Sequence, residues 1–252
     1  MKPGRGVRVV SGAAAIRFPP WGCTLVTAMA FSPSSRARLT SHDLGRFSSD
    51  TLFDRLGRAV STAGCLPRKE LYEAWEVARR VRRLLRGGRV VDLGGGHGLL
   101  AQVMLLLDNS SPNALVVDAA LPPSSARVHA ALVEVWPRLA GRVQFVSGLL
   151  ESVELQNTDV VVSCHACGDL TDRVLDRAVS ARARVAVLPC CHDPATCDAG
   201  ALAGWVDQPL AIDILRALRL ERQGYRVWTQ TIPAAITPKN RLLIAGPMPA
   251  VG

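Results

Sequence analysis

The run Asp92-Leu93-Gly94-Gly95-Gly96-His97-Gly98 sets an acid just ahead of glycines that recur at every second position. Val90-Val91 before it reads as a buried strand and Leu99-Leu100 after it as the opening of a helix, so the glycines form the turn between them. Side chains on such a turn would collide with a ligand laid across it, and glycine alone lets the backbone come that close. A second acid, Asp118, ends the apolar run Ala114–Val117, 26 residues after Asp92. At the end of the second strand of a doubly wound sheet, a carboxylate accepts hydrogen bonds from ribose hydroxyls. Its other reading is as an exposed acid capping the next helix, near Leu121-Pro122-Pro123. The dinucleotide fingerprint G-x-G-x-x-G fits poorly, because its third small position, counted from Gly94 and Gly96, holds Leu99.

Further chemistry-bearing residues follow the fourth and fifth apolar runs: Cys164-His165-Ala166-Cys167-Gly168-Asp169 and Cys190-Cys191-His192-Asp193. Ligands of parallel α/β sheets bind at the carboxyl ends of strands, and these two ends should be neighbours, converging beside the glycine turn. Three chemistries are open. The thiols and imidazoles are suitable zinc ligands, yet adjacent Cys190 and Cys191 point to opposite faces of an extended strand unless the chain turns there, so no metal ligand is assigned. A thiolate of Cys164 or Cys190 could attack a ring carbon if a histidine lowered its pKa. Otherwise cysteine packs as a small hydrophobe. His165 has the ordinary pKa of a general base near neutrality, with Asp169 either orienting its ring or capping the helix that follows.

The glycine run resembles the D/E-x-G-x-G-x-G motif of class I S-adenosylmethionine-dependent methyltransferases. The string His165-Ala166-Cys167-Gly168-Asp169-Leu170-Thr171-Asp172, with Pro189-Cys190-Cys191-His192 downstream and Cys65–Glu73 upstream, narrows the resemblance. It is similar to a methyltransferase-domain family that includes methyltransferase-like 25 proteins and glutathione S-transferase C-terminal-domain-containing proteins. More distantly it resembles tRNA 2′-O-methyltransferases with a related H-x-C-G segment. The resemblance spans roughly Leu66 to Gly246. It implies an enzyme that uses S-adenosyl-L-methionine, bound by Asp92, Gly94, Gly95, Gly96, Gly98, Asp118, Gly148 and Leu149, with His165, Asp169, Cys164 and Cys190 as catalytic candidates. RNA (tRNA or rRNA) stands slightly ahead of protein or a small molecule as acceptor. A metal- or RNA-binding module that keeps the fold without catalysis, and an NAD-dependent oxidoreductase, are the alternatives.

These residues need a sheet to carry them. Strands are expected over Arg89–Leu93, Ala114–Asp118, Val143–Val146, Val160–Ser163, Val185–Leu188, Arg226–Ile232 and Leu242–Ala245. Helices are expected over Asp43–Val60, Pro67–Arg86, Leu99–Leu107, Ser124–Leu139, Leu170–Val179 and Pro209–Arg222. The alternation gives an α/β, Rossmann-like, mostly parallel sheet with helices on both faces. Only Pro233–Arg241 joins the last two strands, too short for a crossover helix, so the final strand should run antiparallel. The expected division is an N-terminal arm over residues 1–40, disordered or non-native, a helical extension over 41–86 and a methyltransferase domain over 87–248.

Composition bounds the rest. Of the 252 residues 48% are hydrophobic, ample for a core, and no run approaches the roughly 18 apolar residues of a membrane span. The net charge is +9, but six of those charges precede Asp43 with no acid among them, so the core is only mildly basic. Arg79-Arg80-Val81-Arg82-Arg83 and Lys239-Asn240-Arg241 are the basic clusters able to meet phosphates, although a solvated helix face explains the first as well. Residues 1–40 lack periodicity and are rich in Gly, Ala, Ser, Pro and Arg, with Met29 as an alternative start. Seven cysteines, an odd count, argue against a disulfide framework, and a cytoplasmic location is expected.

Overall fold

The structure, a computed structural model, describes residues 31–164, 166–193 and 195–249. Its centre is a sheet of β1 (Val90–Leu93), β2 (Ala114–Asp118), β3 (Val143–Ser147), β4 (Val160–Ser163), β5 (Arg184–Val187), β6 (Tyr225–Thr231) and β7 (Arg241–Pro247). The strand order is β3-β2-β1-β4-β5-β7-β6. β1 to β5 run parallel, and β7 lies antiparallel between β5 and β6. Every residue of β1 and β4 is buried, Asp92 and Ser163 included, as expected of strands covered on both faces. The inserted antiparallel β7 also separates this sheet from the all-parallel dinucleotide-binding order.

The helices are α1 (Leu52–Ala63), α2 (Arg68–Leu84), α3 (Leu99–Leu107), α4 (Ser125–Val135), α5 (Leu170–Ser180) and α6 (Gln208–Arg222). Leu99 to Leu106 of α3 are all buried, because this helix is apolar all round and sits against both the sheet and α2. The chain order reverses at β1 and β4, whose carboxyl ends form the switch point of the sheet.

Two expected helices are each divided. Asp43–Val60 becomes a 3₁₀ turn at Ser41–Arg46 and then α1, because Thr51 caps a fresh start by accepting a hydrogen bond from the Asp54 amide at 3.2 Å. Ser124–Leu139 stops at Val135: Pro137 forces Trp136 out of helical geometry, to φ −132° and ψ 82°, before a short 3₁₀ turn at Pro137–Leu139. The basic cluster on α2 is also less of a surface than its composition suggests. Arg82 is buried, donating to the Met104 carbonyl and Ser111 and lying 3.5 Å from Asp108. Arg241 is likewise engaged, by Asp213 at 2.7 Å.

The arm expected over residues 1–40 requires a correction in its last part. Residues 1–30, with Met29, lie outside the described residues. Residues 32–40 are anchored by one buried side chain: Leu39 is fully buried and its amide donates to the Leu66 carbonyl at 2.9 Å, while Ser34 and residues 36–38 are exposed. The Ala37 and Ser35 carbonyls accept from the Arg68 and Lys69 amides at 2.9 and 3.0 Å. The reason is local, since α2 starts at Pro67 without a side-chain cap and its first free amides need acceptors. Among the described residues no helix is long and apolar enough to cross a membrane. Leu39→Ala should destabilise the protein by about 2–5 kcal/mol in urea unfolding. An unchanged midpoint would show that this segment contributes nothing to the core.

Candidate functional site

The glycine turn is stitched to the end of β2 by backbone and side chain together. The Val117 carbonyl accepts from the Gly94 and Gly95 amides at 2.8 and 3.2 Å. The Asp118 carboxylate accepts from the Gly96 amide at 3.0 Å and from Ala120 at 2.9 Å. Asp118 therefore belongs to the turn; α4 starts only at Ser125. Gly96 adopts φ +50°, and a Cβ there would meet nothing within 4 Å, because it would project into open space. Gly98 differs: at φ +68° it begins α3, and a Cβ would lie 2.8 Å from Phe145 and Val116. One glycine thus leaves room for a ligand and the other for close packing of helix on sheet.

Beside the turn lies a cavity of about 460 Å³ at the switch point. It brings together Asp92, Gly94, Gly95, Gly96, Asp118, Gly148, Leu149 and Cys164 of the expected site residues. Leu149 is 64% exposed, an apolar side chain left in water at the cavity. Asp92 is fully enclosed, and burial drives its carboxyl up to about 7 against a hydrogen bond from the Ala101 amide at 3.3 Å. Cys164 is buried beside it, and burial pushes its thiol well above the ordinary range, with Asp92 and Glu73 adding to the effect.

Among the cavity residues missing from the sequence expectation are two charged ones, Glu151 and Arg173, and three beside the glycine turn. Glu70 and Ala74 come from α2, and His97 from the glycine turn itself. His97 Nε2 lies 2.8 Å from Ser124 Oγ, and Nδ1 lies 3.7 Å from the Glu70 carboxylate. The available signal was the acid in the string Lys69-Glu70-Leu71-Tyr72-Glu73, one turn ahead of Ala74 on a helix whose apolar face is buried.

The Cys/His residues do not converge as one group. Cys167, Cys190 and Cys191 gather with their sulfurs within 4.8 Å of one another, outside the cavity lining. Burial raises the thiols of Cys190 and Cys167, whereas hydrogen bonding from Cys167 lowers that of Cys191. His192 turns away, its Nε2 2.8 Å from Asp213 in a network that includes Arg216 and Arg241. Asp169 is exposed at the start of α5 and makes no side-chain cap bond, while Thr171 Oγ1 donates to the Ala166 carbonyl at 2.6 Å. His165 lies outside the described residues.

Residues 69–196, half of the chain, match the family model described as a methyltransferase domain. This chain belongs to that methyltransferase-domain family. A glutathione S-transferase C-terminal domain-containing protein of Xenopus laevis is 24% identical over 206 residues, which is 64% of this chain and 31% of that protein. The chain therefore spans about a third of the length of this relative. Among solved structures, an O-methyltransferase family protein from Burkholderia thailandensis has a TM-score of 0.49 and 18% identity, covering 85% of this chain and 64% of that one. The mitomycin 7-O-methyltransferase has a TM-score of 0.47 and 20% identity, covering 84% and 65%.

The enclosed Asp92 generates a pH dependence. Its carboxyl is raised above the ordinary 3.8, so the folded protein binds this proton more tightly than the unfolded chain, and stability falls as pH rises from about 4 to about 7. Asp92→Asn, which is neutral throughout, should gain on the wild type across that window by an amount on the order of a few kcal/mol. Urea melts of both proteins at the two ends of the window measure it. A stability difference that is independent of pH would show that Asp92 stays ionised in the fold.

Proposed function

We propose that the cavity binds S-adenosyl-L-methionine and that the protein transfers its methyl group to RNA. The observation that carries the cofactor reading is the Asp118 carboxylate, fixed at the cavity by two backbone amides next to a glycine whose Cβ position is open. Each of its oxygens keeps a second lone pair for a ribose hydroxyl. The cavity volume falls within the roughly 300–1,000 Å³ of small-molecule sites. Gly94, Gly95 and Gly96 supply the edge along which the ligand lies, Asp92 and Cys164 the floor, and Gly148 and exposed Leu149 an apolar wall. Gly98 acts one step removed, setting the start of α3.

The donor's sulfonium already carries an activated methyl group. What remains for the chain is to align the acceptor and take its proton. His165, adjacent in sequence to the cavity-lining Cys164, takes that proton in this proposal, with Asp169 orienting its ring. A second reading assigns the proton to His97, because that imidazole faces the cavity between Ser124 and Glu70. The elevated thiols of Cys164 and Cys190 favour lining and packing over covalent attack. RNA as acceptor is supported by the net charge of +9, six units of which precede Asp43, and a cytoplasmic location by the odd count of seven cysteines, which argues against a disulfide framework.

Titration calorimetry with S-adenosylhomocysteine should show binding, weakened about 10- to 100-fold in Asp118→Ala and abolished in Gly96→Val, with NAD giving no heat. Unchanged affinity in both variants would remove the cofactor from this cavity. With a labelled methyl donor, label should enter total RNA and be released by nuclease. Cofactor binding without transfer to RNA, protein or small molecules would mark a non-catalytic module. His165→Ala should slow transfer by about 100-fold or more at unchanged cofactor affinity, since that is the ordinary scale of a general base. The same loss in His97→Ala, with His165→Ala active, would move the base to the glycine turn.

A further inference from the structure

Cys167, Cys190 and Cys191 are drawn from two loops, one between β4 and α5 and the other beyond β5, yet their sulfurs meet. Cys167 Sγ lies 3.2 Å from Cys190 Sγ, and Cys190 Sγ lies 3.8 Å from Cys191 Sγ. These separations are far from the roughly 2.05 Å of a disulfide. The second equals the edge of a tetrahedron of thiolates around zinc, about 3.8 Å for Zn–S bonds of about 2.3 Å, and the first, at 3.2 Å, would have to open slightly to receive the ion. The objection that adjacent cysteines point to opposite faces does not hold here. β5 ends at Val187, so Cys190 and Cys191 lie where the chain is no longer extended in a sheet, and both sulfurs turn to one side.

From this grouping we propose that Cys167, Cys190 and Cys191 form a three-thiolate site for zinc, with the fourth coordination position open to water or a small ligand. Three features of the surroundings fit. Cys167 is exposed and the other two are half-buried, so an ion has a path in and one side of the trio faces solvent. Lys239 is near enough to act electrostatically on Cys167 and Cys191, and one cation offsets the single net negative charge of three thiolates on Zn²⁺. Among the described residues the neighbouring imidazole, His192, is drawn away from the sulfurs, to Asp213 at 2.8 Å. Binding would release the thiol protons to solvent and tie the β4–α5 loop to the loop after β5. This inference stands independently of the methyl-donor reading, since none of the three cysteines lines the glycine-turn cavity.

The full chain, produced with zinc in the medium and purified without chelator, should retain about one zinc per molecule by elemental analysis. Cys167→Ser should lose it at least about tenfold, as removal of one of three ligands requires, and Cys65→Ser, altered at a buried thiol elsewhere, should retain it. Cys167 is exposed, so its replacement leaves the core untouched; equal far-ultraviolet circular dichroism checks this. Cobalt added to the stripped protein should give a thiolate-to-metal absorption that is lost in Cys190→Ser and shifted by added imidazole, the mark of an open position. Zinc-free wild type without a cobalt band overturns the proposal, as does zinc kept equally by all the variants. A Cys167–Cys190 disulfide with no metal, seen by peptide mass spectrometry, overturns it in favour of a thiol pair.

Discussion

The glycine turn is held to β2 by three hydrogen bonds: two amides onto the Val117 carbonyl and the Gly96 amide onto Asp118, whose carboxylate the Ala120 amide of the following loop also fixes. The other features of the site depend on this attachment. It sets where β1 ends and α3 begins, and it holds the Asp118 carboxylate facing the cavity. It also presses Gly95 so close to Asp92 and Val116 that a Cβ would lie 2.8 Å from each. The turn has little freedom to move without breaking the end of β2. A ligand binding there meets a prearranged surface and bears little of the ordering cost.

That rigidity is reinforced from below by an unusual choice. Asp92 is a carboxyl enclosed in the core, raised by burial to about 7, with a single amide from α3 for a partner. An uncharged residue would pack there at lower cost to stability. Its retention beneath the turn matches the rule that strained titratable groups gather at functional sites, where stability is traded for chemistry. Cys164 beside it shares the same enclosure, and the two together give the cavity a polar floor whose charge rests on Asp92 alone.

Of the helices before β1, α2 belongs to the site together with the sheet. α2 packs on α3, contributes Glu70 and Ala74 to the cavity, and is itself started by carbonyls from residues 35 and 37. The family match begins at residue 69, at the start of that same helix. The residues that cap it, 32–40, therefore act on the cavity through its wall. A helix with free amides and a buried apolar face has to take its cap from whatever chain lies nearby, and here that chain had the composition of a disordered arm.

Much of this was legible in the residues. Val90–Leu93, Ala114–Asp118 and Val160–Ser163 are strands because short valine-rich apolar runs favour burial on both faces of a sheet, and the glycines between Asp92 and Leu99 admit no continuous helix. Those are local rules, and they set the sheet, its antiparallel end and the place of Asp118. Side-chain direction beyond the strand ends obeys no such rule. Cys167 and Cys190 are separated by a whole helix and strand, and only the parallel pairing of β4 with β5 brings them to 3.2 Å. His192 read as a companion of those thiols, but Asp213 on α6 offered it a half-buried hydrogen-bond partner and won. Glu70 and Ala74 reached the cavity because α2 packs its apolar face on α3. The sequence by itself determined which segments are strands and where the chain must turn, since those follow from neighbours in the chain. The tertiary structure decided which side chains share a site, since that follows from neighbours across it.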